Sequence, residues 1–295
     1  MDYFLQQLIS ATALGGTYAL LALGLAIVFS IVGLINFAHG ELMTVTAYAI
    51  VLSMGAGLPF VFAAPLGIVC AMVVAMLLER IAFRPVRKAS GATLLVTSFA
   101  AAMILQILFQ NLISQRPLPV TLPGLLTSTV QLGGFVVGVN QILSIVIAGA
   151  TMLLLNLFLT RTLLGLSMRA IALDFSATRL MGVRANAVIS GAFAVSGLLA
   201  GIAAILWVSQ RASVDPYMGF TPVLKAFIAA IIGGLGSLSG AVVGGLVLGF
   251  IEIFFAAYLP DAWQEFREPL ALGVVILILL VRPNGLLPAP KTDKV

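Results

Sequence analysis

The sequence predicts an all-α polytopic membrane protein of about eight transmembrane helices, some of them broken or re-entrant. Three observations predict it. Charged residues make up 8% of the chain, against about 25% in a soluble domain. Hydrophobic residues reach 61%, and mean hydropathy is +1.18. The apolar residues gather into runs of about 20, the length that crosses a bilayer as a helix. Lipid offers the backbone no hydrogen-bond partner, so such runs span as helices. The segment 1–295 is expected to form a single membrane domain, with no room for a separate soluble one.

Ala11 to Ile35 is uncharged and about 37 Å long as a helix, enough to cross with some tilt. Asn36-Phe-Ala-His-Gly-Glu41 follows and holds the only histidine. Leu42 to Leu58 is apolar but about 25 Å long, short for a full span. Pro59 opens the next run, which ends at Glu79-Arg80, and Arg80, Arg84, Arg87 and Lys88 form a basic loop. Ala92 to Ile113 spans, Arg116 to Gly138 is a Pro-rich loop, and Val139 to Thr160 spans again. Ala187 to Val208 is a further span, and Ser209 to Pro222 a polar loop. Val223 to Leu259 is broken at Gly233-Gly234-Leu-Gly236-Ser-Leu-Ser-Gly240, so it is two helices or a re-entrant pair. Leu270 to Val281, with a turn on either side, is the last span, and the tail carries Lys291 and Lys294.

Basic residues orient the chain. Arg80, Arg84, Arg87, Lys88, Arg161, Arg169, Arg179, Arg184, Arg282, Lys291 and Lys294 fall on one side; Arg116, Arg211, Lys225 and Arg267 fall on the other. The positive-inside rule makes the first side cytoplasmic. Counting spans back leaves the N-terminus outside and the C-terminus cytoplasmic.

Gly165 to Asn186 is the longest polar interruption, flanked by Arg161. Met168 to Met181 lacks Pro and Gly, and Gly182 sits where a helix C-cap would. On one helix, Ala170, Leu173, Ala177, Leu180 and Met181 make one apolar stripe, and Ile171 and Phe175 a second beside Arg179. Two patches suit a helix held between its own membrane body and a partner. A helix lying on the membrane with Phe175 among headgroups is the other reading.

Asn36, His39, Gly40 and Glu41 sit in a break between a long span and a short one. Ionisable groups there either line a cavity or cap the helix starting at Leu42. Glu252 poses the same question inside an apolar run: a path residue, or a protonated or Ser/Thr-bonded one. Gly236, Gly240 and Gly244 recur every four residues, as do Gly245 and Gly249, and Gly197 and Gly201. Such spacing lets helices approach closely in lipid. Gly233, Gly234 and Gly236 stand either for that packing or for a gate.

Other classes are excluded or unsupported. Cys70 is alone, so no disulfide or cysteine metal site forms. The N-terminus lacks a basic n-region, so no cleaved signal peptide is expected. There is no Walker A pattern, no metal-ligand cluster, no nucleophile motif and no Arg-rich voltage sensor. The net charge of +5 belongs to the loops and is not a nucleic-acid signature. No catalytic residue and no cofactor is expected in this chain.

Three stretches together resemble the inner-membrane permease subunits of ABC importers for branched-chain amino acids, of the H (LivH) type. They are Gly16-Thr-Tyr-Ala-Leu through Asn36-Phe-Ala-His-Gly-Glu41, Glu79-Arg-Ile-Ala-Phe-Arg-Pro-Val-Arg87, and Lys225 through Gly233-Gly-Leu-Gly-Ser237 with Gly240-Ala241. Their order and spacing cover nearly the whole chain. The resemblance implies an ABC importer permease fold in a bacterial inner membrane, and transport rather than catalysis. It implies a homologous second permease subunit, two cytoplasmic ATPases that use the ATP, and an external amino-acid-binding protein. It sets the ATPase-coupling loop at about 161–186, with Arg169, Asp174, Phe175, Ala177, Arg179 and Gly182. Asp174-x-x-Ala177-x-x-x-x-Gly182 loosely resembles the coupling motif of such permeases, without its second Ala. Relatives for urea, amides or other amino acids share the pattern. A transporter or channel driven by an ion gradient is the alternative class, and it needs no cytoplasmic docking helix.

Overall fold

The computed structural model describes residues 2–132 and 135–288. Lys291 and Lys294 lie outside the described residues. The helices are α1 (Asp2–Val32), α2 (His39–Gly55), α3 (Phe60–Leu78), α4 (Gly91–Leu112), α5 (Val139–Arg161), α6 (Leu163–Leu173), α7 (Phe175–Leu180), α8 (Ala185–Arg211), α9 (Phe220–Gly233), α10 (Leu238–Tyr258) and α11 (Arg267–Val281). Six are long and apolar enough to cross a membrane among the described residues: α1, α3 with its extension to Val86, α4, α5, α8 and α10. The helices α2, α9 and α11 are also apolar but shorter.

The bundle is built around α1, which is buried on every side from Tyr18 to Val28. A helix that is apolar all round belongs at a centre. Antiparallel to it runs α10, set close because Gly15, Gly245 and Gly249 carry no side chain. A Cβ on Gly15 would lie 2.9 Å from the Leu246 backbone, and Cβ atoms on Gly245 and Gly249 would collide with Ala19 and Gly15. Gly244 meets the Ala229 carbonyl of α9 in the same way. The second buried helix is α8, whose Gly197 would place a Cβ 2.7 Å from the Ala71 carbonyl oxygen of α3. Of the glycines expected to pack helices, Gly240 and Gly244, Gly245 and Gly249, and Gly197 and Gly201 do so, whereas Gly236, at φ +81°, lies in the turn before α10. No hydrophobic force distinguishes helix from lipid, and backbone proximity supplies the contact instead.

Short strands order the loops at one end of the bundle. β1 (Leu118–Pro119) pairs antiparallel with β4 (Ser213–Val214), and β2 (Thr129–Leu132) pairs with β3 (Phe135–Gly138) as a hairpin. The Arg116–Gly138 loop is thus joined to the segment that leads into α9.

Two local expectations change. The Met168–Met181 stretch is two helices, not one. Asp174 is extended at φ −148° and ψ 107°, and its carboxylate accepts the Ala177 N–H at 2.9 Å. A short polar side chain that bonds nearby backbone competes with the helix, and here it starts a new one. The two stripes drawn on a single helix therefore separate. Met168 and Ile171 are buried against the bundle, whereas Leu173, Leu180 and Met181 are exposed. Gly182 has φ +83° and ends α7 as a left-handed cap should. The second concerns Gly285, in the tail that follows the last span. It packs against Gly234 with φ +86°, and the Leu286 and Leu287 N–H groups donate to the Ile232 and Gly233 carbonyls at 2.8 and 2.9 Å.

The C-terminal end of α3 leads into a buried ion pair. A π-helical turn, Glu79–Phe83, carries the chain to Arg87, whose guanidinium meets the Glu79 carboxylate. Ser190 donates to the other Glu79 oxygen at 2.6 Å, and Arg87 donates to Asn186 at 3.0 Å. The first and last residues of the Glu79–Arg87 motif thus clasp each other and the start of α8.

Gly244→Leu and Gly285→Leu are both expected to lower the yield of folded protein in detergent, since overpacking costs about 1–3 kcal/mol. Gly149→Leu is the control, because nothing lies within 4 Å of a Cβ there. Equal yields of all three by size-exclusion chromatography would refute the packing argument.

Glu79→Ala should destabilise by about 2–3 kcal/mol, because it strands a guanidinium and a hydroxyl. Glu79→Leu combined with Arg87→Met should recover most of that. Thermal unfolding in detergent reads both; a double variant as weak as the single would show that the pair itself carries stability.

Candidate functional site

The helix break is inside the protein, not at its edge. After Val32 the chain doubles back through Gly33–Ala38, and α2 starts at His39, three residues before the expected Leu42. The His39 ring rests on Gly24 of α1, eight residues before that helix ends, which is about 12 Å below its tip. Asn36, His39 and Glu41 are all buried. No side chain caps α2, so the capping reading of His39 and Glu41 fails.

Each side chain has a definite setting. His39 Nδ1 and the Ser196 hydroxyl of α8 are 3.0 Å apart. Gln106 of α4 donates to one Glu41 oxygen at 2.7 Å. Gly40 meets Gly219, the residue before α9, backbone against backbone, and neither position has room for a Cβ. The N-termini of two short helices therefore meet within the bundle. The positive ends of the two helix dipoles meet there. Broken helices at membrane depth make solute sites in this way, because irregular backbone survives there only inside protein or along a cavity.

The other expected residues lie elsewhere. Gly233, Gly234 and Gly236 form the turn between α9 and α10, closed by the 285–287 segment. Glu252 on α10 is ion-paired: Lys225 of α9 stands 2.9 Å from one oxygen, and the Tyr18 hydroxyl donates to the other at 2.9 Å. Lys225, counted among the residues of the outer side, belongs to the second turn of α9 and lies 5.9 Å over the Tyr18 ring. Lys225 also stands 3.5 Å from the exposed Glu268, so both charges of the Glu252–Lys225 pair are satisfied.

Arg169, Asp174, Phe175, Ala177, Arg179 and Gly182 are exposed on the polar segment between α5 and α8. The Arg179 guanidinium lies 5.9 Å from the Phe175 ring centroid. Phe175, Arg179 and Arg184 line a cleft of about 1050 Å³ together with Arg84, Arg87 and Lys88. Sequence reasoning missed Lys225 and Tyr18 as partners of Glu252. It also missed Thr44 and Tyr48, although their spacing of three and seven from Glu41 puts all three on one face of α2.

Comparison with known proteins supplies the family. The profile of the branched-chain amino acid transport system / permease component family matches residues 7–281. The high-affinity branched-chain amino acid transport system permease protein BraD of Pseudomonas aeruginosa is 35% identical, over 99% of this chain and 98% of its own. The corresponding permease protein LivH of Escherichia coli K12 is 34% identical over the same shares. The permease protein LivM of Escherichia coli K12 is 28% identical over 92% of this chain and 68% of its own. Near-complete coverage at this identity, on a helical bundle with a break at Asn36–Glu41, means that the chain belongs to the branched-chain amino acid transport system permease component family.

Proposed function

We propose that this chain is the membrane-spanning permease subunit of an ATP-driven importer for branched-chain amino acids. The observation that carries the reading is full-length similarity to permeases of that transport system, BraD and LivH. The chain sits in an inner membrane with its N-terminus outside. The basic cleft of Arg84, Arg87, Lys88, Arg179 and Arg184 supports a cytoplasmic face at that end. A second permease subunit completes the pore; LivM, similar over most of this chain, is the kind of protein that fits. Solute delivered by an external binding protein passes the junction of α2 and α9, where Asn36, His39, Gly40 and Glu41 lie. ATP is consumed by two cytoplasmic ATPases, which dock on the segment around α6 and α7.

The division of that segment supports the docking role. Met168 and Ile171 fasten α6 to the bundle, while α7 presents Phe175, Leu180 and Met181 outward. Phe175 is 38% exposed, so cover by a partner is worth about 1–2 kcal/mol. Phe175→Ala should weaken ATPase association about tenfold. Co-purification with tagged permease measures it, against the amount of permease in the membrane. Full ATPase recovery would move docking to another face.

The function itself is tested by reconstitution. Vesicles holding the permease pair, the ATPases and the binding protein should accumulate labelled leucine only with ATP. Accumulation driven by an ion gradient without ATP would establish the other class of transporter.

A further inference from the structure

Among the described residues, seven buried side-chain nitrogen and oxygen atoms have no hydrogen-bond partner. Six belong to the segment 36–48: both amide atoms of Asn36, His39 Nε2, Glu41 Oε2, Thr44 Oγ1 and the Tyr48 hydroxyl. They do not scatter. Glu41, Thr44 and Tyr48 are spaced by three and four residues, which makes one stripe along α2. The opposite face is closed: Thr46 donates to the Gly67 carbonyl of α3 at 3.3 Å.

The stripe faces a seam between α2, α4 and the 215–219 segment. From α4 come Gln106, bonded to Glu41, and Phe109, whose ring centroid lies 5.4 Å from that of Tyr48. From the 215–219 segment comes Gly219, where a Cβ would stand 3.0 Å from the Thr44 hydroxyl oxygen. At the foot of the seam Phe37 stacks on Phe99, centroids 4.3 Å apart. Tyr217, exposed and bonded to Gln110 at 2.9 Å, marks the end open to the surface.

An unpaired buried polar atom is costly, and more so at membrane depth. Native proteins leave few such atoms, so six gathered in one segment call for a group that would satisfy them. We infer that this seam is where the permease grips the solute: Glu41 takes the ammonium group of an α-amino acid, Thr44 and Tyr48 donate to its carboxylate, and Phe37, Phe99 and Phe109 hold an aliphatic side chain. A carboxylate acceptor, two hydroxyl donors and aromatic walls together match a zwitterion with an apolar side chain. The inference rests on the transport reading above and goes on to name the contacts.

The test uses the complete transporter in lipid vesicles, with Cys70→Ser as background. Thr44→Cys and Tyr48→Cys are exposed to a small cationic methanethiosulfonate during turnover, and labelling of this chain is read by mass. Both should react, and leucine should slow the reaction at least fivefold. Neither 4-methylpentanoate, which lacks the ammonium, nor isoamylamine, which lacks the carboxylate, should do so. Thr46→Cys, on the closed face, should stay unlabelled. Glu41→Gln should reduce leucine uptake at least tenfold and abolish leucine's protection of Thr44→Cys. Thr44→Cys and Tyr48→Cys as inert as Thr46→Cys in every state would overturn the inference. So would labelling that leucine leaves unchanged, which would mean that the seam holds water only. Absence of ATP-dependent leucine uptake by the unmodified transporter would instead remove the transport reading.

Discussion

Backbone contact at glycine is the interaction on which this bundle depends. In water, apolar side chains are driven together by the solvent; in lipid they are not, and helices cohere through proximity. Gly15, Gly245 and Gly249 bring α10 onto α1, and Gly197 and Gly201 bring α3 onto α8. The same device acts at Gly40 and Gly219, but with a different result. There it joins two helix starts instead of two helix flanks, so the contact brings two positive dipole ends together. One chemical fact, the missing Cβ, thus builds both the scaffold and the place where polar groups converge.

The long helices were legible because length and apolarity suffice to specify a span. The glycine repeats were legible for a similar reason, since spacing of four is a geometric statement about one face. The helix break at Asn36–Glu41 was visible as polar letters in an oily text, but its depth was not. Depth depends on the chain doubling back along α1, and only the contact of His39 with Gly24 reveals it. Asp174 shows the opposite failure. Helical projection assumes regular φ and ψ, and it cannot see a side chain that bonds its own backbone three residues on. The partners of Glu252 and Glu79 were hidden because each pairing joins helices or depends on a π-helical turn.

Charge follows one rule throughout the described residues. Glu252 of α10 pairs with Lys225 of α9, and Glu79 pairs with Arg87 just beyond α3. Such pairs add little net stability, but they define which faces of which helices belong together. Unpaired cations gather in the cleft beside α7, where water reaches them. Glu41 is the exception, a buried carboxylate with a single amide partner, and that exception lies in the helix break.

The hook after α11 has a consequence for how the protein is made. Leu286 and Leu287 satisfy carbonyls at the C-terminal end of α9, a helix completed some fifty residues earlier in the chain. Until residue 287 has been synthesised, those carbonyls lack the partners that hold them in the finished bundle. A nascent chain halted at Val281 already contains every membrane helix described here, yet its α9–α10 turn stands unlatched. Folding therefore includes a closing step, in which a segment made after α11 fastens a corner built long before it.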